Sequence, residues 1–166
     1  MLIIGVDPGQ AGAFAVLDER GQLLSVFPMP MLGGEPYAAD VAALLEAAGR
    51  PSELFVGIEE PFANNRASSI SQMTQGQGHG ILLGVVGVGG YRHDRIKPAE
   101  WKRIVGLPMS SKLTHAQKKN NSRALATQLW PHMAEHWAKA NQDGFAEASL
   151  IGEAVRRKIL GNGGLS

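Results

Sequence analysis

The chain has 166 residues, 44% of them apolar and 19% charged, with a net charge of +1 and no cysteine. These values suit one globular domain over residues 1–166 with a real core, and they exclude a disordered chain, a disulfide scaffold and a thiolate metal centre. The start, MLIIGVDPG, has no basic leader, and the longest nearly uncharged apolar run, 81–90, is too short to cross a bilayer, so a cytoplasmic protein without membrane contact is expected.

Residues 2–6 form an apolar run rich in Ile and Val that predicts a buried strand. Asp7-Pro8-Gly9 and Gly12 mark a turn, 13–17 a second strand, Arg20-Gly21 another turn and 23–27 a third strand. The chain therefore opens as an antiparallel meander. Residues 28–36 are expected as loop. Over 38–48, Val41, Leu44, Leu45 and Ala48 recur at helical spacing, and Gly49 closes the helix. Residues 54–58 predict another buried strand, which ends in Glu59-Glu60-Pro61.

The next segment, 68–88, reads as a helix in spite of its glycines. Gly76, Gly80 and Gly84 share one face, and each costs about 1 kcal/mol against alanine. Close approach of another backbone is expected there, within the fold or across a dimer. A phosphate-cradling loop is the rival reading, but no strand directly precedes these glycines and no Gly-Lys-Ser/Thr follows. Residues 91–96 predict a strand, and 98–105 a short helix with proline in its first turn. Loop is expected over 108–114 and helix over 116–130, stopped by Pro131. Residues 132–142 favour no single element. A closing helix over 144–160 carries Ala148, Ile151, Val155 and Ile159 on one stripe. A meander followed by strands alternating with helices predicts an α/β domain, a mixed sheet flanked by helices.

Several acids sit where an acid is costly. Asp7 ends an apolar strand, where an ionised carboxylate needs a partner or a metal ion; its plainer role is to start the turn. Glu59 and Glu60 end the later strand and point to opposite faces, so at most one shares a site with Asp7. Parity alone leaves that choice open. Asp143 and Glu147 lie four apart and so on one face of the last helix; the plainer reading is an N-cap and a first-turn acid. Four carboxylates can hold two hard divalent cations. Two such ions can activate a water and stabilise the leaving oxygen in phosphodiester cleavage. The charge is also uneven: residues 92–123 hold nine Lys/Arg against two acids, and the rest of the chain seven against thirteen. That split suits a basic face for a nucleic-acid backbone beside an acidic centre, or simply a solvated helix surface. His79 is read as a structural residue, or as one meeting DNA or the site.

The segments Ile4-Gly5-Val6-Asp7-Pro8-Gly9, Ile58-Glu59-Glu60-Pro61-Phe62, Ile96-Lys97-Pro98-Ala99-Glu100-Trp101-Lys102 and Ala146-Glu147-Ala148-Ser149-Leu150-Ile151-Gly152 span nearly the whole chain. In that order they resemble the segments of RuvC-type Holliday junction resolvases, the crossover junction endodeoxyribonucleases. The resemblance implies an RNase H-like fold, a homodimer, and two Mg²⁺ or Mn²⁺ ions per active site. It implies paired nicks across four-way or otherwise branched DNA, leaving a 5′-phosphate and a 3′-hydroxyl. Asp7 then matches the first catalytic acid, and Glu59 rather than Glu60 the second. Phe62 matches an aromatic set against junction bases, with core packing as its alternative. Lys97, Lys102 and Lys112 fall in the segment that contacts DNA phosphates.

Glu147 stands where the family usually has Asp. The family's other helix acid falls at Gly144, so Asp143, one residue away, is the fourth candidate ligand. These departures look more like phage-encoded relatives. Gly76, Gly80 and Gly84 fall on the family's long dimer helix. Lys118 and Lys119, with Asn120, Asn121 and Arg123, extend the phosphate track or form a wet helix face. Two other readings remain. One is an ATPase of the actin/Hsp70 group, which has a similar first strand but usually duplicates the fold over a much longer chain. The other is a junction-binding protein without chemistry, against which the four acids argue.

Overall fold

In chain order the elements are β1 (Leu2–Asp7), β2 (Ala13–Asp18), β3 (Leu23–Pro28), β4 (Met31–Leu32), β5 (Glu35–Pro36), α1 (Ala38–Ala48), β6 (Leu54–Glu59), α2 (Ser69–Val88), β7 (Arg92–Ile96), α3 (Pro98–Val105), α4 (His115–Leu129) and α5 (Asp143–Gly161). They come from a computed structural model that describes residues 1–9, 11–61 and 68–161. Five strands form one sheet in the order β3-β2-β1-β6-β7. The β1–β2 and β2–β3 pairs are antiparallel, and β1–β6 and β6–β7 are parallel. β1 is therefore central, which explains its nearly continuous apolar run: both of its faces are covered.

Strand alternation sorts the core into two layers. Ile4, Val6, Phe14, Val16, Val56 and Ile58 pack beneath α1 and α2 with Val41, Leu45, Leu82 and Val86. Ile3, Ala15, Leu17 and Phe55 pack against α3, α4 and α5 with Trp101, Ala126, Ile151 and Val155. α5 rides directly on strand backbone. A Cβ on Gly5 would lie 2.1 Å from the Ala148 carbonyl oxygen, and one on Gly57 would lie 2.3 Å from a Val155 methyl. These two glycines face each other across the β1–β6 pair. They clear the track along which α5 descends to the strand ends.

Residues 28–36 differ from the loop expected of them. They hold the antiparallel ribbon β4–β5, closed by Gly33 and Gly34 at φ 62° and 89°. Two left-handed residues make a turn whose twist suits short paired strands, and glycine supplies both at no steric cost. Residues 132–142 contribute to two 3₁₀ turns, Pro131–Trp137 and Ala140–Gln142. α4 starts at His115 because Thr114 and Gln117 form a reciprocal capping box. The helices over 38–48 and 98–105 have the bounds read from the sequence.

Gly76, Gly80 and Gly84 are exposed, and no atom lies within 4 Å of the Cβ each would carry. No backbone among the described residues approaches that face.

Candidate active site

The β1–β6 register brings the first two acids together. Ile3 lies opposite Phe55 and Gly5 opposite Gly57, so Asp7 and Glu59, each two residues further on, face the α5 side of the sheet. Glu60 points the other way and pairs with Arg95 at 3.5 Å. This register resolves the choice that parity left open.

Asp7 is only 8% exposed. Its Oδ1 accepts the Gly9 N–H at 3.0 Å, a hydrogen bond made by the tight turn itself. Burial, then the nearby Glu147 carboxylate, push the Asp7 carboxyl up to about 6, against the pull of the Gly9 N–H and Lys119. Burial, then Asp7, push Glu59 up to about 7. The fully buried Trp101 on α3 opposes this by donating its indole N–H to Glu59 Oε1 at 2.6 Å. Lys102 lies 4.9 Å over the Trp101 ring and adds a weaker positive field.

Asp143 and Glu147 project from the first two turns of α5, and both are buried. Lys119, reaching across from α4, places its Nζ 2.5 Å from Asp143 Oδ2 and 2.6 Å from Glu147 Oε2. Ser122, one turn on, donates its hydroxyl to Glu147 Oε1 at 3.2 Å. Burial disfavours the Lys119 ammonium, but the two carboxylates outweigh it and hold the lysine's pKa above its ordinary value. Gly144 cannot carry the acid that the family pattern expects there. A Cβ at that position would lie 1.9 Å from the Ala11 carbonyl oxygen. The loop after β1 thus lies directly on the start of α5, and the acid stands at Asp143 instead.

All four candidate ligands offer carboxylate oxygen, the donor type that Mg²⁺ and Mn²⁺ prefer. Asp7 and Glu59 are held by neutral N–H donors and make no ion pair among the described residues, so this half fits a hard cation. As the side chains stand, no three His, Cys, Asp or Glu among the described residues close around one point. Asp143 and Glu147 are turned onto Lys119.

The other expected residues are spread around this centre. Lys97 is exposed immediately before α3, Lys112 is exposed in the loop before α4, and Lys118 is exposed in the first turn of α4. Lys119 was expected on the same track, yet its ammonium lies on the acids. Phe62 lies outside the described residues. His79 is buried under the sheet face opposite the acids, and its Nδ1 has no hydrogen-bond partner among the described residues. Sequence reasoning assigned no role to Trp101 or Ser122. A signal for Ser122 was present: Lys119, Ser122 and Ala126 recur along the inward stripe of α4, where two polar residues call for buried partners.

No family model and no curated protein sequence matches the chain. Solved structures do. The structure of T. thermophilus RuvC in complex with a Holliday junction substrate aligns with a TM-score of 0.68 at 16% identity, over 97% of each chain. A Thermus thermophilus RuvC structure aligns with a TM-score of 0.61 at 18% identity, over 95% of this chain and 96% of that one. With its mixed five-stranded sheet between two helical layers, the chain has the RNase H-like fold of these RuvC structures.

Proposed function

We propose that the protein is a structure-selective, metal-dependent endodeoxyribonuclease that resolves four-way DNA junctions, and other branched substrates of the same geometry, by paired nicks. The observation that carries this reading is the meeting of Asp7 and Glu59 from parallel strand ends with Asp143 and Glu147 from the start of α5. It occurs in a fold similar to that of a RuvC solved on a Holliday junction substrate. Bound by these four carboxylates, two Mg²⁺ or Mn²⁺ ions would supply a water activated near neutral pH and neutralise charge on the leaving oxygen. The chain's own groups do the positioning. The Gly9 N–H orients Asp7, and the Trp101 indole orients Glu59. Lys97, Lys102, Lys112 and Lys118, all in the basic segment 92–123, supply cationic contacts for DNA phosphates, with an affinity that falls as salt rises.

The protein acts as a homodimer, so that two sites meet a junction of two-fold symmetry. The bare face of α2 at Gly76, Gly80 and Gly84 is the contact surface in this reading. It is flanked by an apolar groove of about 700 Å³ lined by Ala38, Ala42, Ile81, Val85 and Val88. Gly80→Ala distinguishes an interface from an empty face. On an empty face alanine stabilises the helix by about 1 kcal/mol; at a close-packed interface it weakens self-association, read by sedimentation.

The central test incubates the protein and Asp7→Asn with a four-way junction or a matched duplex, in Mg²⁺ or EDTA. Paired nicks are expected only for the wild type on the junction in Mg²⁺. Asp7→Asn should lose at least about 100-fold, because groups that merely support metal ligands are already worth roughly 10–100-fold. Symmetric nicking by Asp7→Asn, or by the wild type in EDTA, defeats the proposal.

A further inference from the structure

Lys119 makes two charge-assisted hydrogen bonds, at 2.5 and 2.6 Å, to carboxylates of two different residues. Both are shorter than the usual range for ammonium–carboxylate pairs. Glu147 is used at both oxygens, by Lys119 at Oε2 and by Ser122 at Oε1. The strand half of the site is different. Among the described residues, the Asp7 and Glu59 carboxylates accept only neutral N–H donors, from Gly9 and Trp101.

We propose that the Lys119 ammonium fills a cation position within the acidic site, so that a metal ion gains Asp143 and Glu147 only by displacing it. This rests on the nuclease reading above. An ammonium and a hard divalent ion compete for the same oxygen lone pairs, and both cannot hold Asp143 Oδ2 and Glu147 Oε2. The side chain of Lys119 is 29% exposed, so the displaced ammonium has a path outward to solvent. There it stands beside the acids, within reach of a phosphate brought in by DNA. A DNA phosphate therefore favours the displaced lysine, and the displaced lysine favours the metal ion. Metal and DNA affinities are then coupled, and the coupling is reciprocal.

The test measures Mn²⁺ binding to the whole protein at pH 8 without DNA, by calorimetry and by the electron paramagnetic resonance signal of free Mn²⁺. Lys119→Met should bind Mn²⁺ at least about tenfold more tightly than the wild type, whereas Lys119→Arg, which keeps the charge, should not. Thermal melting checks that each variant is folded, and Lys119→Gln replaces the methionine variant if that one is not. Adding a four-way junction should tighten Mn²⁺ binding by the wild type and do so much less in Lys119→Met. If Lys119→Met binds Mn²⁺ no more tightly than a wild type that nicks the junction, this inference fails and the nuclease reading stands. The same holds if Lys119→Arg binds as tightly as Lys119→Met. If no variant binds Mn²⁺ and the wild type does not nick the junction, the nuclease reading fails and takes this one with it.

Discussion

Asp7 and Glu59 reach the site from strand ends and make no ion pair among the described residues, whereas Asp143 and Glu147 come from a helix start and share one ammonium. The two halves therefore answer differently to the loss of a charge. The strand half is in electrostatic excess: burial raises both of its carboxyls, and so does nearby negative charge, that of Glu147 at Asp7 and that of Asp7 at Glu59. The helix half carries a cation of its own, one ammonium shared by two carboxylates. The difference teaches that an acidic cluster is not uniformly destabilising. Its cost sits where no cation has been built in, and only an added ion relieves it.

The largest effect expected from this contrast is a pH-dependent gain from Asp7→Asn in EDTA. The folded-state carboxyl of Asp7 titrates near 6, above its ordinary 3.8, so the folded chain binds more protons than the unfolded one between those values. Its contribution is fully present at low pH and is lost as pH rises through about 6. At pH 8 the asparagine variant should be more stable by roughly 2–3 kcal/mol, because the buried Asp7 carboxyl is held well above its ordinary value. That corresponds to several degrees in melting temperature. The advantage should vanish near pH 4. A variant that melts lower than the wild type at pH 8 would mean that Asp7 is held as a turn residue.

Glu147→Gln should act in the opposite direction. It removes one of two partners from a half-buried ammonium, and breaking a buried pair costs up to about 3–5 kcal/mol. Because Asp143 remains and Lys119 is partly solvated, a loss of roughly 1–2 kcal/mol is expected. Denaturant unfolding in EDTA reads this, and a gain similar to that of Asp7→Asn would erase the contrast between the halves. The smallest effect is at Ser122→Ala, which removes one buried hydrogen bond to Glu147 and should cost about 1 kcal/mol. A neutral result would mean that Lys119 alone orients that carboxylate.

Much of this site was legible before any tertiary contact was known. Asp7 and Glu59 follow apolar strands, Asp143 and Glu147 share a helix face, and the order of the segments suggested how they combine. The glycines were less legible. Gly76, Gly80 and Gly84 were expected to meet a backbone within the fold or across a dimer, and among the described residues of the single chain none approaches them. The glycines that do clear a close approach are Gly5, Gly57 and Gly144. Helical spacing tells which residues share a face but not what lies on it. The ribbon at Met31–Leu32 and Glu35–Pro36 was missed because two-residue strands have too little periodicity to register against turn-forming neighbours.

By itself the sequence determined the local facts: strand and helix periods, the turn after Asp7, the stripe of α5 and the uneven charge. Those depend on residues a few positions apart. Tertiary structure decided two others. The β1–β6 register turned Glu59 toward Asp7 and Glu60 away, and the packing of α4 on α5 set Lys119 between Asp143 and Glu147. Both depend on how separate elements slide and rotate against each other, which is fixed by packing of the whole core and left no mark in any short stretch of the chain.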